Sequence, residues 1–367
     1  MVEWKKLGEV CKVHTGSQLN RSDMLEVGPY PVVNGGKEYS GYTDKFNENA
    51  NSITISQGGE SAGFVNWVNI SFWAGAHCYV VEIPEGYDAR YLYHTLKNKE
   101  RDIQLSKQGA GIPGLNLETL YKQVIPIPSL SEQTRIVGIL DTFTSAIDNL
   151  KEQIAQRRKQ YEYYRDKLLD LEGKLEQDIH CWGEVCEMEK GNGVQKADFV
   201  DEGIGCIHYG QIYTHYGPYT YETNKFVSEG TFAKAKKASK GDIIMTDTSE
   251  NVEDICKSVA WLGDNDIAVS NHALIIRHNQ NPNFLSYSTQ TSSFFVQKRK
   301  VVFGVKVSGI KPEHLAQIKI FLPPLQEQQR IVSILDTFED SIQNLEAQLD
   351  QREKQYEYYR NKLLTFE

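Results

Sequence analysis

Residues 132–172 read EQTRIVGILDTFTSAIDNLKEQIAQRRKQYEYYRDKLLDLE, and residues 327–367 read EQQRIVSILDTFEDSIQNLEAQLDQREKQYEYYRNKLLTFE. The two stretches align without a gap, and about two-thirds of their positions are identical. In the first copy Ile136, Leu140, Phe143, Ile147, Leu150, Ile154, Arg157, Tyr161, Tyr164, Leu168 and Leu171 follow alternating steps of four and three. The second copy repeats the series as Ile331, Leu335, Phe338, Ile342, Leu345, Leu349, Arg352, Tyr356, Tyr359, Leu363 and Phe366. That spacing is a coiled-coil seam sustained over several heptads, and it predicts two rods of roughly 60 Å. Gly138 is the only Gly or Pro in either copy. Ser129 and Glu132 have capping-box spacing at the first start, whereas Pro323 and Pro324 precede the second, which lacks a Ser or Thr cap. Each seam carries one polar interruption, Arg157 or Arg352. Such an arginine either snorkels out over its packed stem or fixes register against a group on the partner helix. Two matching helices in one chain can pair antiparallel with each other; pairing between chains is the alternative.

Working outward, the chain divides into a first globular module (residues 1–130), a central helix (131–172), a second module (173–326) and a C-terminal helix (327–367). The modules are themselves related. Leu7-Gly8-Glu9-Val10-Cys11 is echoed by Trp182-Gly183-Glu184-Val185-Cys186, and Asn34-Gly35-Gly36 lies opposite Tyr209-Gly210-Gln211 in order. From His77 and His272 onward the halves keep the same offset as the helices, so the extra residues of the second module all precede His272. Short apolar, β-branched runs separated by Gly, Asn and Asp turns predict a mainly antiparallel β fold with a few helices in each module. The fold class expected is therefore α+β: two mainly antiparallel-β domains, each followed by a long helix, with the helices forming an intramolecular antiparallel coiled coil.

A chain of 367 residues is long enough for two cores plus a helical pair. No apolar stretch approaches the length of a membrane span, and residues 1–7 do not read as a signal peptide, so a cytoplasmic location is expected. The six cysteines include no Cys-x-x-Cys pair. His180, Cys181, Cys186, Cys206 and His208 are too irregularly spaced for a zinc site, so reduced buried thiols are expected.

The stretch Gly109-Ala110-Gly111-Ile112-Pro113-Gly114-Leu115 runs on to Ile127-Pro128-Ser129-Leu130-Ser131-Glu132-Gln133. Its partner is Leu322-Pro323-Pro324-Leu325-Gln326-Glu327-Gln328, and both copies open the helix with Arg-Ile-Val-x-Ile-Leu-Asp. With these signatures the whole chain resembles the DNA-specificity subunit of type I restriction-modification enzymes, in which target-recognition domains alternate with conserved helices. The first signature departs from the pattern at Ser129, where the second has Pro324.

The resemblance implies a non-catalytic subunit that binds double-stranded DNA at a bipartite, asymmetric site. Each domain would read one half-site, and the helical pair would set the spacer. Two methyltransferase subunits would dock on the helices and restriction-translocase subunits would join them. S-adenosylmethionine, ATP and Mg would be needed only by those partners. Base readout needs paired donors and acceptors, with glycines where backbone approaches a groove. On residue chemistry, candidate DNA contacts are Asn34, Lys37, Gln57, Lys107 and Gln108 in the first module. In the second they are Tyr209, Gln211, Thr246, Thr248 and Lys306. Candidate methyltransferase-docking residues are Arg135, Arg158, Tyr163, Arg330 and Tyr358. His77 and His272, at matched positions beside strands, read as structural.

Other readings compete. Net charge is −9, without the basic excess of a stand-alone DNA binder, although clusters occur at residues 97–107, 234–240 and 298–300. Partner subunits are therefore expected to supply much of the phosphate neutralisation. No phosphate-binding loop occurs, and Asn281-Pro282-Asn283-Phe284 lacks the second proline of an adenine-methyltransferase loop, so it reads as a turn opening a helix. A coiled-coil scaffold for proteins other than methyltransferases would account for the acidity and the rod, and an orphan specificity subunit would share every motif.

Overall fold

The computed structural model describes residues 2–107, 113–304 and 308–366. The chain divides into two compact units, Met1–Glu152 with Glu346–Glu367, and Gln153–Leu345. The long helices span Leu130–Leu169 and Leu325–Leu364, so each contributes to both units.

In the first unit Lys12–Thr15, Cys78–Glu82, Ser52–Ser56 and Val65–Val68 form an antiparallel sheet in that order. A second sheet joins Tyr42–Thr43, Tyr30–Val33 and Trp73–Ala74, the last pair parallel. Ser52–Ser56 is buried on both faces past its first residue, which explains a continuous apolar run instead of alternation. Helix Ala89–Asn98, capped by the Asp88 carboxylate, buries Tyr91, Leu92 and Leu96 in the same core as Ile136 and Leu140 of the first long helix. Strand Glu3–Lys6 pairs with Val124–Ile127, tying the start of the chain to the segment that feeds that helix.

The second unit repeats the plan with more strands. One sheet runs Glu187–Lys190, Ala273–Arg277, Ile243–Thr246, Ser258–Trp261, Tyr219–Thr220. The other runs Phe199–Val200, Lys225–Val227, Ile204–Ile207, Ile267–Val269, Lys236–Ala238. The pairs Cys206–Ala268 and Tyr219–Ala260 are parallel; the remaining ladders of the two sheets are antiparallel. Most of the surplus length over the first unit lies between His208 and Ile243, since strands Ser52–Ser56 and Ile243–Thr246 hold matching register. Helix Pro282–Ser288 opens as a turn does, with the Asn281 side chain capping the Phe284 N–H at 3.1 Å.

The short helices Leu7–Val10 and Trp182–Val185 open the two units, each closed by a buried cysteine. Burial pushes the Cys11 and Cys186 thiols up to about 12, so both are protonated core groups. At the first long helix Ser129 Oγ accepts the Glu132 N–H at 3.4 Å, the capping position expected from sequence. At the second, the Pro324 carbonyl takes the Gln328 N–H at 3.1 Å where no side-chain cap exists. The first helix ends at Leu169, short of the repeat's last residue, and Gly173 turns the chain with φ 74°.

Much of the seam is buried as its period requires, although Tyr164 and Tyr359 remain exposed. Ile136, Leu140 and Ile147 pack in the first unit, and Ile331, Leu335 and Ile342 in the second. The arginine interruptions resolve into aromatic contacts. Arg352 lies over the Phe143 ring and Arg157 over Phe338, each 5.8 Å from the centroid. Phe143 stacks on Tyr359 at 5.2 Å and Phe338 on Tyr164 at 5.5 Å, so one three-residue motif is built once in each unit.

Candidate nucleic-acid interface and helix surface

In the first unit the ends of several strands meet at one edge, held there by backbone hydrogen bonds. The Gln57 N–H donates to the His77 carbonyl (3.0 Å), the Leu115 N–H to the Gln57 carbonyl (2.7 Å) and the Gly59 N–H to the Pro113 carbonyl (2.9 Å). The Asn34 side-chain oxygen accepts the His77 N–H at 3.1 Å. Gly35 must be glycine, because its φ is 87° and a Cβ there would meet the His77 carbonyl oxygen at 2.5 Å. The second unit repeats the scheme. The Asp247 N–H donates to the His272 carbonyl (3.2 Å), the Ile310 N–H to the Asp247 carbonyl (3.0 Å), and Thr248 pairs with Gly309. Gln57 therefore corresponds to Asp247, and His77 to His272. By strand register Val33 pairs Ala74 as Ile207 pairs Val269. Asn34 thus corresponds to His208, one residue earlier than the order of motifs suggests.

This edge gathers most of the candidate DNA contacts. Lys37 is exposed on the turn after Asn34, Gln57 is half-buried, and Lys107 Nζ donates to the Glu60 carbonyl at 2.9 Å. In the second unit the Tyr209 ring packs edge-on against His272 with centroids 5.4 Å apart, and Thr248 lies in the two-residue ladder. Two candidates are placed differently. Thr246 is completely buried, with its hydroxyl turned to the Lys257 carbonyl. Gln211 is spent on local structure: its Oε1 caps the His208 N–H at 2.8 Å and its Nε2 donates to Asn224. Gln108 and Lys306 lie outside the described residues. His77 and His272 are exposed, and their backbones are the hubs of the two edges. Their matched offset was the sequence signal, and the backbone bonds of both match the structural reading.

The basic clusters separate into structural and surface lysines. Lys97 donates to the Val65 carbonyl and to Glu100, and burial is the main cause of its lowered pKa. Lys298 is only 5 % exposed and donates to the carbonyls of Glu253 and Ile255. Lys234, Arg299 and Lys300 are exposed.

On the helices Arg135 and Arg330 are exposed and clasp Glu132 and Glu327 at 2.6 Å. Tyr163 and Tyr358, each 59 % exposed, stand edge-on to Tyr164 and Tyr359. Lys167 and Lys362 lie over the Tyr163 and Tyr358 rings at 5.6 and 5.8 Å. Arg158 is exposed on the first helix. Positions 195 residues apart (358 − 163, 330 − 135) thus present the same chemistry, Arg–Glu at the helix start and Lys–Tyr near its end.

Each helix is fastened to its module by a buried glutamine. Gln133 donates to the Pro128 carbonyl and accepts the Asp88 N–H; Gln328 donates to the Pro323 carbonyl and accepts the Asn281 N–H. A second fastening differs between units. His94, fully buried, contacts Asp141 at 2.8 Å and the Tyr356 hydroxyl at 3.0 Å, and Arg90 also grips Asp141. Burial lowers the His94 pKa. Burial opposes ionisation of Asp141, but bonds from His94 and Arg90 prevail and hold its carboxyl below the usual range. In the second unit the Tyr287 hydroxyl donates to Asp336 at 2.7 Å, and burial raises that carboxyl's pKa. The first fastening is ionic and the second is not.

Among the described residues no helix is long and apolar enough to cross a membrane, and no group of His, Cys, Asp and Glu is arranged to hold a metal ion.

Comparisons with known proteins agree with the repeat. The profile of the type I restriction modification DNA specificity domain matches residues 1–157 and 178–353. A putative type I restriction enzyme specificity subunit of Haemophilus influenzae is 29 % identical over all of this chain and 96 % of its own length. The EcoR124I/EcoR124II specificity subunit of Escherichia coli is 26 % identical, over all of this chain and 94 % of its own. The crystal structure of a type I restriction-modification S subunit from Mycoplasma genitalium superposes with a TM-score of 0.63 at 19 % identity. It covers all of this chain and 97 % of that one.

Proposed function

From the premise that this chain belongs to the type I restriction-modification DNA specificity family, we propose that the loop edge of each unit reads one half of a bipartite, asymmetric DNA site. The observation that carries the proposal is the same backbone scaffold carrying different accessible side chains at its edge: Lys37 and Gln57 in one unit, Tyr209 and Thr248 in the other. Two similar readers with different donor and acceptor sets suit two different half-sites. The helix pair holds the readers apart and sets the spacer, since half-sites one turn apart lie about 34 Å from each other.

The chain contributes recognition, and chemistry belongs to its partners. Two methyltransferase subunits dock on the repeated Arg–Glu and Lys–Tyr surfaces of the helices, where Arg135, Arg330, Tyr163 and Tyr358 are exposed at matched positions and Arg158 adds a cation where the second helix has Glu353. Restriction-translocase subunits join that complex. S-adenosylmethionine, ATP and Mg are bound by those subunits. With a net charge of −9, and with Lys97 and Lys298 committed to internal bonds, the isolated chain binds DNA weakly and the assembled complex binds it tightly.

The test is to purify the tagged chain with whatever assembles on it and to map methylated positions in DNA exposed to the complex. Two methyltransferase copies per chain and a bipartite modified sequence support the proposal. A chain that captures other proteins and directs no modification refutes it in favour of a scaffold. Exchange of residues 8–130 for another family member's first module should then replace one half-site and leave the other unchanged.

A further inference from the structure

Asp247 sits at the loop edge of the second unit, only 4 % exposed, with no hydrogen-bond partner for its Oδ1. Its Oδ2 meets Lys190 Nζ at 2.8 Å, while Oδ1 faces His272 Nδ1 at 3.8 Å, just beyond hydrogen-bond length. A buried carboxylate oxygen without a donor is costly, and such groups call for a missing partner. His272 is strained as well: its φ is 65°, a region that non-glycine residues rarely enter. Its side chain is nonetheless 51 % exposed, so the strain does not bury the ring. In the first unit the same backbone bonds carry Gln57 and His77, and His77 does not have positive φ.

We propose that Lys190, His272 and Asp247 form a clamp for one DNA phosphate in the half-site read by the second unit. The proposal rests on the reading of the loop edge as the DNA face. In the bound complex, with a proton on each ring nitrogen, His272 donates through Nε2 to a phosphate oxygen and through Nδ1 to Asp247 Oδ1, closing the present gap by a small rotation of the ring. Lys190, anchored on Asp247 Oδ2 with its side chain largely exposed, supplies the second cation. Asp247 is a positioning residue: it touches no DNA and aims two groups that do. The groups facing the ring are Asp247, the Tyr209 ring edge and, tilted against Tyr209 with centroids 4.4 Å apart, His208. Burial chiefly, then the nearby Lys196 and His272, hold the His208 pKa below its usual value. Phosphate is favoured over a base edge because Asp247 Oδ1 is out of reach of solvent beneath the ring.

The experiment uses the chain assembled with its methyltransferase subunits and, as probe, a duplex carrying the site mapped from its methylation. His272→Gly and His272→Asn both tolerate the left-handed backbone, so neither is expected to lower thermal stability. With Lys190→Gln, they should weaken binding about tenfold at physiological salt. They should also reduce the slope of log K against log salt by about 0.9, the value of one phosphate contact. Asp247→Asn should weaken binding through both aimed groups. The preferred sequence of both half-sites should stay the same, and a methylphosphonate at the clamped position should abolish the difference between wild type and His272→Gly. Wild-type affinity and slope in His272→Gly would overturn the clamp, as would relaxed preference at a single base pair, which signals base contact. Failure to find any bipartite modified site would overturn the DNA reading itself, a result distinct from either.

Discussion

The glutamine of each Glu-Gln signature does more than mark a family. Gln133 and Gln328 are buried, and each bridges the proline carbonyl before its long helix to a backbone N–H at the start of a module helix. The signature was legible as a motif, but its purpose was not, because the partners Asp88 and Asn281 stand 45 and 47 residues away in sequence. Truncating Gln133 or Gln328 to Ala strands a buried donor and a buried acceptor at once. Each change should cost about 1–3 kcal/mol, read as a lower urea midpoint with an unchanged slope. Histidines set a second residue-scale expectation. Burial pushes His278 down to about 4 and also lowers His94 and His208. All three fold neutral while the unfolded chain takes up protons below about 6.5. Stability is therefore full above that pH and falls as pH drops, until the folded His278 itself titrates near 4. The His278 share is at most about 3 kcal/mol. In His278→Asn the side-chain oxygen can replace Nδ1 as acceptor for the Gln280 N–H. Denaturation midpoints measured from pH 7 to 4.5 should be flatter in that variant, and equal steepness would refute the assignment.

Among the elements, the long helices were the most legible, because a heptad period needs no knowledge of the partner. The seam residues Ile136, Leu140, Ile147, Ile331, Leu335 and Ile342 are buried as the period demands. Tyr164 and Tyr359 are not: they remain 42 % and 40 % exposed, since their rings stack on Phe338 and Phe143 from the flank of the seam. Period alone cannot distinguish packing in a seam from packing beside it. The same aromatic pairs engage Arg157 and Arg352, whose guanidinium groups lie over Phe338 and Phe143. A double-mutant cycle between Arg352 and Phe143, using Arg352→Gln and Phe143→Leu, should return a coupling of about 0.5–1 kcal/mol, and the Arg157–Phe338 cycle the same. Zero coupling would leave the arginines as solvent-facing spacers. The loop edges were less legible. Thr246 and Thr248 are indistinguishable in a sequence window, yet one ends the buried strand Ile243–Thr246 and the other lies half-exposed in the two-residue ladder at the edge. His272 drew attention only through its offset from His77; its backbone strain and the buried Asp247 beneath it have no signature in residue order.

For the molecule as a whole, the repeat places one buried glutamine fastening and one arginine–aromatic motif in each unit, while the side chains at the loop edges differ. A chain that must join two different readers through two equivalent helices has reason to keep the helices alike and let the edges diverge, and the identities follow that division. In the proposed reading the helices act as a ruler whose length is counted in residues. Removing residues 151–157 together with 346–352 deletes one heptad from each copy. It preserves the phase of both seams and leaves the Phe143–Tyr359 and Phe338–Tyr164 stacks at their own levels. At 1.5 Å per residue the rod loses about 10 Å, equivalent to about three base pairs of B-form DNA. The methylation map of the assembled complex should then show the same two half-sites with a shortened spacer, or no modification if the rotated half-sites can no longer be engaged together. Retention of the original spacer would show that something other than the helices measures it. A changed half-site sequence would show that the edges and the rod are not independent parts.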